Sequence, residues 1–207
     1  MGAMSLILIG VIGIVNFSRE TNFQVSQEVI PSIEVPKGEV GNDRVVAQEL
    51  RILYQDPFRP VRVSVPRLEM DALVVPVGMD ELRSVEVPIN IGIVGWYELG
   101  VSPHQEIGSV ALVGHRDGSG GADGVFLRIG ELQKGDLVSL TNRDGSENTY
   151  EVTKVELMSK EQFPSEAPRL FAESGPARLT LISCGGSYDS TRGGYQSNVV
   201  VTSTPIT

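Results

Sequence analysis

The sequence predicts an all-β domain, a barrel or a sandwich, over residues 60–207. Two observations predict it: short apolar runs of strand length, and turn residues that separate them. Val61-Arg-Val-Ser-Val65 alternates with period two. Further runs follow at Leu73 to Val77, Ser109 to Val113, Asp136 to Leu140, Tyr150 to Leu157, Arg178 to Ser183 and Asn198 to Thr202. Gly, Pro, Asn and Asp punctuate them, as in Asn142-Arg-Asp-Gly145. Many short strands with such turns describe a barrel or sandwich. Helical signal inside the domain is weak: a turn around Val125 to Leu132, and a stretch from Lys160 to Glu173 that Pro164 and Pro168 interrupt.

Upstream the character changes. Ala3 to Phe17 is almost wholly apolar. It is short for a membrane span, which takes about 20 residues, yet long enough for a signal-type core. We read residues 1–17 as a signal anchor whose basic flank is missing. Residues 18–59 are polar, carry Pro31, Pro36, Gly38 and Gly41, and read as a linker. Asn42 to Leu53 predicts one short helix within it, capped by Asn42 or Asp43.

Composition narrows the function. Lys and Arg number 17 against 26 Asp and Glu, a net charge of −9. Nucleic-acid binding needs clustered basic residues, so no nucleic-acid partner is expected. One cysteine allows no internal disulfide. The sequence has no CxxC or HExxH pattern, so zinc has no evident home. Neither a metal nor a cofactor is expected. The Asp117 to Asp123 loop is a weak calcium candidate, because a hard cation needs at least six oxygens. The loop also lacks the Gly-Lys-Ser/Thr of a phosphate-binding loop.

Reactive chemistry is concentrated in few residues. Cys184, the one cysteine, closes the run Arg178-Leu-Thr-Leu-Ile-Ser-Cys. A lone cysteine is more often an inert core residue than a nucleophile. Its surroundings argue otherwise. In strand geometry Thr180, Ile182 and Cys184 share one face, and Leu179, Leu181 and Ser183 the other. Gly185 and Gly186 follow and leave room for a substrate backbone. A thiol needs a base or cation to become a nucleophile. His115 ends the apolar run that begins at Ser109, whereas His104 lies in the polar loop Ser102-Pro-His-Gln-Glu106. Arg192, the one arginine after the cysteine, lies between the last two runs. A guanidinium there could donate to a peptide carbonyl or an oxyanion.

These motifs together resemble the sortases, cysteine transpeptidases of Gram-positive cell surfaces. The resemblance runs from about Val61 to Thr204. It rests on Val63-Ser-Val-Pro66, Gly92-Ile-Val-Gly95-Trp96-Tyr97, Val113-Gly-His115, Gly124-Val-Phe126, Leu132-Gln-Lys-Gly-Asp136 and Leu179-Thr-Leu-Ile-Ser-Cys184. Cys-Gly-Gly and Tyr195-Gln-Ser-Asn-Val-Val-Val201 are most similar to the actinobacterial class F group. The resemblance implies a closed β-barrel of seven or eight strands with short helices. It implies Cys184 as nucleophile, His115 as acid and base, and Arg192 as the arginine that holds substrate and oxyanion. Ile182, Ser183 and Gly185 are the substrate-binding candidates. The substrate implied is an LPxTG-type sorting signal, cleaved between Thr and Gly. The acceptor is a peptidoglycan precursor amine, and the place is the outer face of the membrane of a Gram-positive bacterium.

There are two departures from the family pattern. Ser183 replaces the usual Thr before the cysteine. Many relatives carry the arginine nearer the last strand, where this chain has Gln196 and Ser197; Arg116 is a weaker substitute. Asp56-Pro-Phe58 is similar to the lid motif of pilin-polymerising members, an alternative weakened because it abuts the first strand directly. A non-enzymatic surface β-domain is the other alternative. Papain-like peptidases place Cys before His, the reverse of this order. L,D-transpeptidases carry a His-Gly-Cys-Arg-like cluster that is absent here.

Overall fold

The computed structural model describes residues 56–81 and 84–206. The apolar segment, most of the linker and the expected helix at 42–53 lie outside the described residues. Among the described residues, no helix is long and apolar enough to cross a membrane.

Eight strands form a closed barrel: β1 (Pro60–Val65), β2 (Met70–Val77), β3 (Val94–Tyr97), β4 (Ser109–Val113), β5 (Leu137–Asn142), β6 (Glu147–Ser159), β7 (Arg178–Asp189) and β8 (Gly194–Pro205). Their order around the barrel is β1-β2-β3-β4-β7-β8-β6-β5, and β5 pairs with β1 to close it. Two of the pairings are parallel, β2 with β3 and β4 with β7. Each strand pairs with two neighbours, one on either side.

The interior is filled by alternate residues of the strands, among them Val63, Val65, Leu112, Val138, Leu140, Val152, Leu179, Leu181 and Val201, with Trp96, Phe126 and Ile129. A second apolar cluster lies on the outer face. It gathers Val77, Val113, Met158, Ile182 and Val200 beneath Leu170, with Phe163 and Phe171 packed against it. Leu170 and Phe163 belong to α1 (Phe163–Leu170), which therefore covers this face. Pro164 falls in its first turn, where a missing N–H costs nothing. Pro168 lies inside this eight-residue helix.

The strand pattern expected from sequence corresponds to seven of the eight strands. β3 escaped it because its four residues are all buried, which erases the period-two signal. The predicted turn at Asn142-Arg-Asp-Gly145 joins β5 to β6, and Gly145 takes a φ of +85° there. Only glycine adopts that conformation without strain. The expectation that Cys184 ends its strand is corrected: β7 continues to Asp189, because Tyr188 and Asp189 pair with Tyr195 and Gly194 of β8.

Candidate active site

β4 and β7 run side by side in parallel, with Val113 level with Ile182. The ladder continues one residue further, where the N–H of Gly114 donates to the Ile182 carbonyl at 3.1 Å. Carried past the end of β4, the same register puts His115 level with Cys184. Val113 and Ile182 both face the outer cluster, so period-two alternation puts the thiol on that outer face too. Cys184 is exposed there. Across the other flank of β7, Cys184 pairs with Asn198 of β8, and Asn198 pairs in turn with Met158 of β6. A row of Cys184, Asn198 and Met158 therefore crosses three strands, and His115, just past the end of β4, lies in line with it. The apolar floor of Val113, Ile182, Val200, Met158 and Leu170 adjoins it.

The His115 ring is held from outside the barrel. Its Nε2 lies 2.8 Å from the carbonyl oxygen of Pro88, in the β2–β3 connection. A carbonyl can only accept, so Nε2 carries the proton and Nδ1 is left as the acceptor nitrogen. Such an anchored imidazole needs no reorientation before it exchanges a proton with a neighbouring group. The backbone behind it is fixed as well. The N–H of Phe126 donates to the His115 carbonyl at 2.8 Å, and that of Gly124 to the Arg116 carbonyl at 2.9 Å.

The remaining expected residues fall in different places. Ile182 forms part of the floor beside the thiol. Ser183 is buried, and its hydroxyl has no hydrogen-bond partner. It does not share the face of Cys184. Gly185 is buried too, and a Cβ there would press on Val199 and Leu157. Arg192 lies in the one-turn 3-10 helix at the tip of the β7–β8 hairpin. Its guanidinium is 62% exposed and pairs with Glu161 at 3.5 Å. Five residue steps along β7, about 16 Å at 3.3 Å each, separate Cys184 from Asp189 at the foot of that tip.

Arg116 is anchored differently. Its guanidinium sits over the ring of Tyr195 on β8, 5.4 Å from the centroid. The Tyr195 O–H donates to the Asp117 carboxylate. That bond to Asp117, followed by burial, pushes the Tyr195 hydroxyl above its ordinary pKa. β7 lies between β4 and β8, so this clasp ties the histidine segment to β8 across it. The sequence shows each member of the clasp but not their meeting, since Asp117 and Tyr195 are 78 residues apart. Pro88 carries no signal in the sequence, because it acts through a backbone atom.

His104 is exposed and stacks on Phe58, with centroids 4.4 Å apart. Asp56 accepts hydrogen bonds from Phe58 N at 2.9 Å and from the Ser102 hydroxyl at 3.1 Å. This cluster adjoins the loop that leads into β4, whereas His115 follows the end of β4. Asp56-Pro-Phe58 is thus fastened at the pole opposite the thiol. Among the described residues no group of three or more His, Cys, Asp or Glu could hold a metal ion.

Comparison with known proteins agrees with this fold. The sortase-domain family model matches residues 63–206. Sortase E1 from Streptomyces coelicolor, solved with a tripeptide in its active site, superposes with a TM-score of 0.53 at 20% identity, over 74% of this chain and 91% of that one. Sortase C-1 from Actinomyces oris gives 0.54 at 22% identity, over 77% and 82%. A lid mutant of sortase A from Corynebacterium diphtheriae gives 0.55 at 16% identity, over 82% and 83%. Among curated protein sequences no relative matches the chain.

Proposed function

Because the chain belongs to the sortase family, the cysteine transpeptidases, we propose that it cleaves an LPxTG-like sorting signal between Thr and Gly and joins the released acyl group to a cell-wall amine. The observation that carries this is the register that seats His115 beside Cys184 on an apolar floor. In the proposed cycle the Cys184 thiol gives its proton to His115, Sγ attacks the threonine carbonyl carbon, and the carbonyl electron pair moves onto oxygen. The tetrahedral intermediate collapses to a thioester as the C–N bond breaks, and His115 protonates the departing glycine amine. An incoming amine then attacks the thioester, gives its proton to His115 and releases the thiolate. Water in place of the amine yields hydrolysis.

Ile182 contributes to the floor under the peptide, and Gly185 supports it from behind, where Val199 and Leu157 pack against β7. Ser183 acts from behind, as packing under the nucleophile. Arg192 grips the sorting peptide from the hairpin tip once Glu161 releases it. The class F resemblance stays with the Cys184-Gly-Gly and Tyr195 to Val201 motifs. The acceptor is a peptidoglycan precursor amine. We place the enzyme at the outer face of a Gram-positive membrane, anchored through residues 1–17.

Mass spectrometry of the protein incubated with a panel of sorting-signal peptides tests the proposal. A thioester on Cys184, absent in Cys184→Ala, is expected. A wild-type protein that forms no thioester with any of them would sink it.

A further inference from the structure

An attack on a peptide carbonyl places negative charge on its oxygen, and a fixed donor beside the nucleophile lowers that barrier. The polar side chains around Cys184 are mostly committed elsewhere. Arg192 is at the hairpin tip, paired with Glu161. Arg116 lies over the Tyr195 ring. The Gln196 amide donates to the Gly194 carbonyl at 2.6 Å. The Ser183 hydroxyl is buried among apolar neighbours, away from the thiol's face.

Asn198 is different. It is the direct cross-strand partner of Cys184. Paired residues on neighbouring strands share a face, with Cβ atoms about 4.5–5.5 Å apart. Asn198 is partly exposed, and its carboxamide makes no hydrogen bond among the described residues. The nucleophile thus has an imidazole on one flank and an unengaged amide N–H₂ on the other. A carbonyl carbon bonded to Sγ would carry its oxygen within that row.

We infer that Asn198 is a catalytic residue, whose side-chain amide donates to the oxyanion formed when Cys184 attacks the scissile carbonyl. The inference rests on the transpeptidase reading above and adds the donor that it requires. The amide keeps both its protons throughout: it stabilises charge and transfers nothing. Arg192 is then left with peptide binding.

The test uses the full chain with a sorting-signal peptide that gives a wild-type thioester, and three variants: Asn198→Ala, Asn198→Asp and the inactive control Cys184→Ala. Removing an oxyanion donor typically costs on the order of 10²- to 10³-fold in kcat. Asn198→Ala should show that loss with KM little changed. A second readout needs no turnover: the pH profile of Cys184 alkylation by a small haloacetamide. In Asn198→Ala the profile should match wild type, because thiol and histidine are untouched. In Asn198→Asp it should move to higher pH, because a carboxylate beside the thiolate disfavours its charge. Asn198→Ala within about threefold of wild-type kcat overturns the inference. So does an unshifted profile in Asn198→Asp, which would show that the two side chains are not neighbours. If Asn198→Ala loses thiol reactivity along with kcat, the residue is structural and the inference also falls. A wild type that forms no thioester at all rejects the transpeptidase reading, while the Asn198→Asp profile still reports on the juxtaposition.

Discussion

The carbonyl of Pro88 accepts a hydrogen bond from Nε2 of His115 at 2.8 Å, bridging 27 residues of sequence. The bond fixes the ring by its far nitrogen. Nitrogen NMR of the neutral ring should show the Nε2–H tautomer for His115. Pro88→Gly should loosen the carbonyl and lower kcat/KM by about tenfold without unfolding the barrel. Unchanged kinetics in Pro88→Gly would mean that the carbonyl does not orient the imidazole.

Arg192 and Arg116 should separate in steady-state kinetics. Arg192 is an exposed hairpin-tip residue, so Arg192→Ala should raise KM and leave kcat close to wild type. Arg192→Lys keeps the charge but loses the planar fork, and should behave like the alanine variant. Arg116→Ala removes the hold on Tyr195 and should lower kcat through the histidine segment. If Arg192→Ala instead loses kcat by 10²-fold, its guanidinium reaches the oxyanion and peptide binding is too small a role for it.

Gly124 has no room for a side chain. A Cβ there would lie 2.4 Å from the His115 carbonyl oxygen and 2.7 Å from the backbone of Arg116. Both obstacles are main chain and cannot turn aside. Gly124→Ala should therefore cost about 1–3 kcal/mol, as overpacking does, and should also displace His115. The checks are a thermal melt and single-turnover acylation. A variant with wild-type melting and wild-type acylation would contradict the packing described here.

Burial pushes the hydroxyl of Tyr150 up to about 12. The folded state favours the neutral phenol, so its contribution is complete below the ordinary value of 10.0 and is lost as pH rises towards 12. That loss amounts to roughly 2–3 kcal/mol. Denaturant melts between pH 8 and 12 should show it in wild type and not in Tyr150→Phe. Parallel pH curves for the two proteins would show that Tyr150 ionises as freely folded as unfolded.

Deletion of residues 1–55 should leave peptide turnover intact, since no candidate site residue lies there. Deletion of residues 1–59 should also keep kcat. It should lower the melting temperature by several degrees, because it removes the Asp56 bond to Ser102 and the Phe58 stack on His104. A large rise in turnover on either deletion would mark the segment as a lid.

Much of this was legible in the residues. The alternation of Val61 to Val65 and the apolar runs at Ser109 and Arg178 announced β1, β4 and β7, and their motif residues marked Cys184 and His115 as the candidate pair. What stayed hidden depends on register. Nothing local to Asn198 says that it faces Cys184. That relation follows from a hairpin whose strands continue past Gly185 and whose ladder shifts between Gly185 and Tyr188. The buried strand β3 had no polar face to give it a period. Pro88 acts through its carbonyl, an atom every residue has.

The chain enters the barrel at Asp56, fastened beside Ser102 and His104, at the pole opposite Cys184. Whatever is joined upstream of that point, whether a lipid-bound segment, a purification tag or a resin, pulls on the end remote from Cys184. Immobilisation through the N-terminus should therefore leave the thiol facing open solution, accessible to a large folded protein as readily as to a short peptide. Attachment at the β7–β8 hairpin would load the strands that carry the chemistry.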